Sequence, residues 1–207
     1  MSLESTRKFN EVAELLSLLE CTLDRVYCKG GASESRGSPT WCLRGSPMDE
    51  TTKASIDRIT IRFEKPTRIP SGQFASVFYD CYRLAPSELA RLAADAIGDL
   101  DHDAFDVAVG LAYSGILFAA AVAGGRRVAI IQKDGQLFGP DLRGRKVVIV
   151  DDVVHTGGRL QAAAAKVAEE GGTVVGYVCI IDRSSGQLTG SESPLKAPLW
   201  SAFQAEM

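Results

Sequence analysis

At 207 residues, 45% of them hydrophobic and 24% charged, the chain is long enough to bury the core of one sizeable domain. Twenty-six acids against twenty-three bases leave a formal charge of −3; with no long basic block, that balance gives no support to a nucleic-acid partner. No stretch approaches about 18 consecutive apolar residues, and the opening MSLESTRKF has no apolar signal region, so the expectation is a soluble, cytoplasmic protein with no membrane partner.

In chain order, residues 7 to 26 place Val12, Leu15, Leu16, Leu19 and Leu23 at helical spacing and predict an amphipathic helix. Residues 29 to 54 lose that period and become rich in Gly, Ser, Pro and Thr, an exposed connection. This gives a division into an N-terminal helix with an irregular extension, 1–54, and an organised domain, 55–207. Within 56–83, Ile59, Ile61 and Phe63 alternate with polar residues. Pro66 to Gly72 then turns the chain back before a second strand from Phe74 to Tyr79, so a hairpin-like element is expected.

Pro86 starts a helix through about Ile97, followed by a strand at Asp106–Gly110, a helix at about Ser114–Ala123 and a strand at Val128–Gln132. A strand from Val147, a helix at Gly158–Glu170 stopped by Gly171-Gly172, and a strand at Val174–Ile181 complete the series. Alternating strands and helices predict an α/β fold with a doubly wound, mainly parallel sheet, whose ligand lies beyond the carboxyl ends of the strands. Gly110, Gln132 and Asp152 would then border one crevice. Trp41 and Trp200 fall in irregular segments and read as plugs at the edge of a core. The five cysteines, an odd number at irregular spacings, read as free thiols, with a Cys28–Cys42 staple as the alternative.

Residues 147 to 159, Val-Val-Ile-Val-Asp-Asp-Val-Val-His-Thr-Gly-Gly-Arg, carry the chemistry. A β-branched run of this kind suits a strand buried on both faces, yet it ends in two carboxylates and a Thr-Gly-Gly turn that opens a helix. The unpaired amides of a first helical turn suit a phosphate. Asp151 and Asp152 suit sugar hydroxyls, or a divalent ion held through its water shell. A phosphorylated ribose offers both kinds of group. Phosphoacceptor receiver domains also place paired Asp residues after a buried strand, but on their first strand and without Thr-Gly-Gly; an acidic turn with only a structural role is the plainer alternative.

This motif resembles the signature of the type I phosphoribosyltransferases, which bind 5-phosphoribosyl-1-pyrophosphate. The resemblance implies Asp151 and Asp152 on the ribose hydroxyls, and His155, Thr156, Gly157, Gly158 and Arg159 on the 5′-phosphate. Many relatives have Ser or Thr at the last of these positions, so the Arg159 guanidinium reaches the phosphate or points to solvent. The orotate phosphoribosyltransferases carry a loop similar to Gly110-Leu-Ala-Tyr-Ser-Gly115, which implies Tyr113, Ser114 and Gly115 at the pyrophosphate. Lys133 matches a lysine that faces the same group; a tight turn and a solvated lysine are the plain readings of these two features.

Ser71-Gly-Gln-Phe-Ala-Ser-Val-Phe-Tyr-Asp80 is similar to that family's hood segment, placing a small hood within 56–83. Asp182-Arg-Ser-Ser-Gly186 resembles a segment whose arginine contacts the orotate carboxylate, which implies that role for Arg183. The implied protein is a glycosyltransferase (pentosyltransferase) of pyrimidine nucleotide biosynthesis, taking phosphoribosyl pyrophosphate and a nucleobase, using Mg2+ carried by substrate, and forming a homodimer. Two departures stand out. Pro70 replaces a lysine, and Asp134-Gly-Gln-Leu-Phe-Gly-Pro-Asp141 replaces a longer basic loop that covers the pyrophosphate. These departures leave open a phosphoribosyltransferase for another base, or a non-catalytic sensor that keeps the pocket.

Overall fold

Helix and strand alternate through the computed structural model, which describes residues 50–207 apart from 70, 71, 73, 99, 101, 102, 189–192, 206 and 207. The helix expected at 7–26, Trp41 and the Cys28–Cys42 pairing lie outside the described residues. The elements are α1 (Glu50–Ile59), β1 (Thr60–Arg68), β2 (Phe74–Tyr79), a 3-10 turn (Cys81–Arg83), α2 (Pro86–Ile97), β3 (Val107–Leu111), α3 (Ser114–Ala123) and β4 (Arg127–Ile131). They continue with β5 (Leu137–Phe138), β6 (Lys146–Val154), α4 (Gly158–Glu169), β7 (Thr173–Asp182) and β8 (Leu199–Gln204).

β1 and β2 form an antiparallel hairpin, and the remaining strands form one sheet in the order β5-β4-β3-β6-β7-β8. Its strands pair in parallel except β5, which runs antiparallel to β4. Period-2 alternation sends neighbouring residues of β6 to opposite faces. Val148 and Val150 enter the core beneath α1, α2 and α3. Val147 and Ile149 enter the core beneath α4, with Leu160, Ala163 and Val167. Helices therefore cover both faces, the doubly wound arrangement expected.

The chain steps from β3 to β4 on one side and, after β5, returns to lay β6 against the other flank of β3. Crossovers of one hand that travel in opposite directions must leave their helices on opposite faces, which is where α3 and α4 lie. The loops that follow β3 and β6 consequently emerge side by side at the switch point.

Three expectations are revised. Ile59 does not begin a strand; it closes α1, whose inward positions are Thr52, Ser55, Ile56 and Ile59. Two of those four are hydroxyl residues, so an apolar period could not reveal the helix. The hydroxyls are paired rather than solvated: Thr52 Oγ1 donates to Asp95 Oδ2 at 2.7 Å and Ser55 Oγ to Glu88 Oε1 at 2.8 Å, both on α2. Second, residues 134–141 include a strand: Gln132 N donates to Gln136 O at 2.9 Å, closing a tight turn that lays β5 on β4. Third, Trp200 is not in an irregular segment. It lies on β8 and packs on the core from the sheet edge, its ring directly over Gly176, where a Cβ would come within 2.0 Å.

Candidate active site

β6 is buried from Val147 to Asp151 and opens only at Asp152, so the acidic pair stands where the sheet interior meets the crevice. Asp151 is 2% exposed and Asp152 half-buried. Each has a different partner, because strand alternation turns adjacent side chains apart. Ser114, the first residue of α3, donates its hydroxyl to Asp152 Oδ2. Asp151 Oδ1 accepts the Asp152 amide at 3.0 Å, and Arg159 Nη1 lies 3.2 Å from Oδ1 and 3.1 Å from Oδ2.

The loop after β3 comes this close because glycine removes the obstacles. A Cβ on Gly115 would lie 3.0 Å from Asp151 Cα and Val150 O, and 3.2 Å from Asp151 Oδ1. One on Gly110 would meet Ile116 Cα at 2.8 Å. Tyr113, 55% exposed, sits between them at the mouth of the crevice. Lys133, just beyond β4, places Nζ 4.7 Å from the centroid of the Tyr113 ring, a cation–π contact that joins the two residues expected at one anion.

Beyond Val154 the chain turns through exposed His155 and Thr156 to Gly157, whose φ of +73° closes the entry to α4. A Cβ there would also press on Leu188 at 3.0 Å. The first-turn amides of α4 have no partners within the helix and face the end of β6. Arg159 turns back across the crevice: Nη2 donates to Ala112 O at 2.7 Å while Nη1 pairs with Asp151, so the side chain spans the two loops. Arg183 stands apart from the carboxylates, its backbone N donating to Val154 O at 2.7 Å and its guanidinium 5.8 Å from the Tyr79 ring at the end of β2.

Burial raises the Asp151 carboxyl well above the usual carboxylate range; Asp152 pushes the same way and Arg159 opposes. Tyr82, which sequence reading missed, stands beside Asp152, Tyr113 and Ser114. Partial burial and the Asp152 charge raise its phenol, while a hydrogen bond with Ser114 acts the other way. It lies on an irregular turn with no periodic signal to mark it. Tyr79 was visible only as a strand residue; its approach to Arg183 required the hairpin to fold over the end of β7. Two buried thiols, Cys81 and Cys179, lie beneath the pair and are held up first by burial and then by neighbouring carboxylates. The structure thus gathers Tyr113, Ser114, Gly115, Lys133, Asp151, Asp152 and Arg159 through direct contacts. His155, Thr156, Gly157 and Gly158 border them, with Arg183 at a third corner under the hairpin.

The family model for the phosphoribosyl transferase domain matches residues 128–200. The orotate phosphoribosyltransferase of Nocardioides sp. is 32% identical over 148 residues, 66% of this chain and 82% of that protein. That of Sulfurisphaera tokodaii is 33% identical over 131 residues, 57% of this chain and 66% of that protein. Among solved structures, Mycobacterium tuberculosis orotate phosphoribosyltransferase in complex with 5-phospho-alpha-D-ribosyl 1-diphosphate is similar with a TM-score of 0.58 at 21% identity, covering 74% of this chain and 94% of that one. Adenine phosphoribosyltransferase from Rhodothermus marinus gives 0.57 at 21% identity over 76% of this chain and all of that one, so the fold likeness does not choose an acceptor.

Proposed function

The chain belongs to the orotate phosphoribosyltransferase family, and from that premise we propose that it transfers the 5-phosphoribosyl group from phosphoribosyl pyrophosphate to orotate, releasing pyrophosphate. The observation that carries the reading is the meeting at one switch point of an acid–hydroxyl pair (Asp152 with Ser114), a lysine on an exposed tyrosine (Lys133 on Tyr113) and a helix start behind Gly157. These are three polar sites in series, matching ribose hydroxyls, pyrophosphate and 5′-phosphate. Arg183, stacked near Tyr79, supplies a fourth suited to a planar ring bearing a carboxylate.

In the reaction, a ring nitrogen of the base forms a bond to ribose C1′ as the C1′–oxygen bond to pyrophosphate breaks. Positive charge grows on the ribose and negative charge on the leaving group. Asp152, with Ser114, fixes the hydroxyl edge; Lys133 and the loop at Tyr113–Gly115 face the departing anion; Thr156 and the first-turn amides of α4 anchor the phosphate. Position and electrostatics do the work, with no covalent nucleophile.

Among the described residues no group of three or more His, Cys, Asp or Glu side chains could hold a metal ion. Asp151 is enclosed by its own contacts, so the donor set suits an outer-shell approach by Mg2+ bound to the substrate. Carried in by the substrate, it would supply positive charge against the leaving pyrophosphate. We take the protein to work as a cytoplasmic homodimer, with a hood within 56–83 over the acceptor; the boundary expected at 54/55 falls inside α1, whose Thr52 is buried against α2, so the organised domain begins no later than Glu50. Among the described residues no helix is long and apolar enough to cross a membrane.

One observation favours a second reading. Residues 134–141, which contain no Lys or Arg, fold back as the β4–β5 hairpin instead of forming a basic cover. A chain without that cover could serve another base, or report phosphoribosyl pyrophosphate to a partner without turnover. Incubation with phosphoribosyl pyrophosphate, magnesium and a panel of bases, with pyrophosphate release as the signal, decides. Release with orotate supports the first reading; release with another base alone, or binding without release, replaces it.

A further inference from the structure

We propose that Arg159 is a positioning residue and not a phosphate ligand: by bridging Asp151 and Ala112 O it locks the buried carboxylate to the loop after β3, leaving Asp152 as the acid offered to the ribose. The inference rests on the phosphoribosyl reading above and assigns this chain's departure at position 159 a definite task.

The contacts divide the acidic pair. Asp151 has a side chain only 3% exposed, and both its oxygens are engaged, Oδ1 by the Asp152 amide and Arg159, Oδ2 by Arg159. A ligand cannot reach it without breaking an ion pair, and separating one member of such a pair leaves an uncompensated buried charge. Asp152 remains half-buried, with Ser114 on one oxygen. The Arg159 side chain itself is 56% exposed, so solvent alone would leave it free to sample many rotamers. Instead, three contacts draw it back from α4 across the crevice floor.

Those contacts connect the two ligand loops. Ala112 precedes Tyr113 and Ser114, while Arg159 follows the turn at 155–158. One planar guanidinium therefore sets the spacing between the phosphate end and the pyrophosphate end. Lysine, with a single charged tip, can pair with Asp151 but cannot hold both acceptors in that geometry.

The test uses the full chain with Arg159→Ala and Arg159→Lys, inorganic phosphate and ribose 5-phosphate as calorimetric probes, and amide exchange in the ligand-free protein. Arg159→Ala should bind inorganic phosphate within about twofold of the parent but ribose 5-phosphate about tenfold more weakly, the scale of one misplaced charged hydrogen-bonding group. Arg159→Lys should recover part of that loss. Exchange at Tyr113 and Ser114 should quicken in the alanine variant. Equal weakening of both probes would make Arg159 a phosphate ligand, and unchanged affinity for both would make it idle; either overturns the proposal. Parent protein that binds neither probe would instead count against the phosphoribosyl reading, and the exchange measurement then decides the clamp by itself: unchanged rates refute it.

Discussion

Replacing Gly115 with alanine tests whether close helix–strand approach builds the site. In an ordinary helix the change is favourable by about 1 kcal/mol, because glycine loses more backbone entropy on folding. Here the added Cβ would stand 3.0 Å from Asp151 Cα and Val150 O, which are backbone atoms of a central strand and cannot turn aside. Overpacking of this kind costs about 1–3 kcal/mol, so the net is a loss of about 0–2 kcal/mol, or a few degrees in Tm for a domain of this size.

The effect on function should be larger. α3 relieves the contact by moving its N-terminus, and Ser114 moves with it, away from Asp152. Misplacement of a reacting group by about 1 Å can cost about a hundredfold, so a shift of a few tenths of an ångström should lower turnover by about tenfold. Urea denaturation and pyrophosphate release measure the two effects. Gly158→Ala is the stability control, since its Cβ would meet nothing nearer than Thr156 Oγ1 at 3.8 Å. If Gly115→Ala is as stable as Gly158→Ala and as active as the parent, close approach does not set the position of the acid.

Arg183→Ala should cost about 2–5 kcal/mol in orotate binding, the penalty for truncating one partner of a charge pair, and leave phosphoribosyl pyrophosphate affinity nearly unchanged; parallel losses by calorimetry would contradict the assignment. Asp152→Asn converts an anionic acceptor into a group that is half donor and should weaken phosphoribosyl pyrophosphate binding by about tenfold, read by titration. Gly157→Val places a β-branched residue at positive φ against Leu188 and should cost about 1–3 kcal/mol of stability, together with phosphate-dependent thermal stabilisation. Asp151 titrates higher in the fold than in the unfolded chain, so its contribution to stability is present at acid pH and lost as pH rises through its folded value. Asp151→Asn should therefore gain Tm relative to the parent as pH rises from 4 to 8; a constant difference across that range would refute the sign.

The alternation of strands and helices was legible because it lives in local period: Pro86–Ile97 and Ser114–Ala123 appear with the bounds expected, and the central strands lie within a residue or two. The acid pair and Thr-Gly-Gly were legible because the ligand chemistry is written in consecutive residues. α1 was hidden by hydroxyls at its inward positions, which are satisfied by residues more than thirty positions away. Arg159 was ambiguous for the same reason. Its partners, Asp151 and Ala112, are neighbours only after β3 and β6 pair. β8 and the place of Trp200 depend on Gly176 across the sheet, a contact that no local pattern encodes.

The thiols under the carboxylates have a practical consequence. A cysteine reacts with alkylating agents as its thiolate, and Cys81 and Cys179, 4% and 0% exposed, are kept protonated by burial and by the negative charge around them. They sit on opposite faces of the sheet, Cys81 in the core under α2 and α3 and Cys179 in the core under α4. Each can be labelled only when its own layer opens. Modification rates followed at these two peptides would therefore time the breathing of the two layers separately, using reporters the protein already carries.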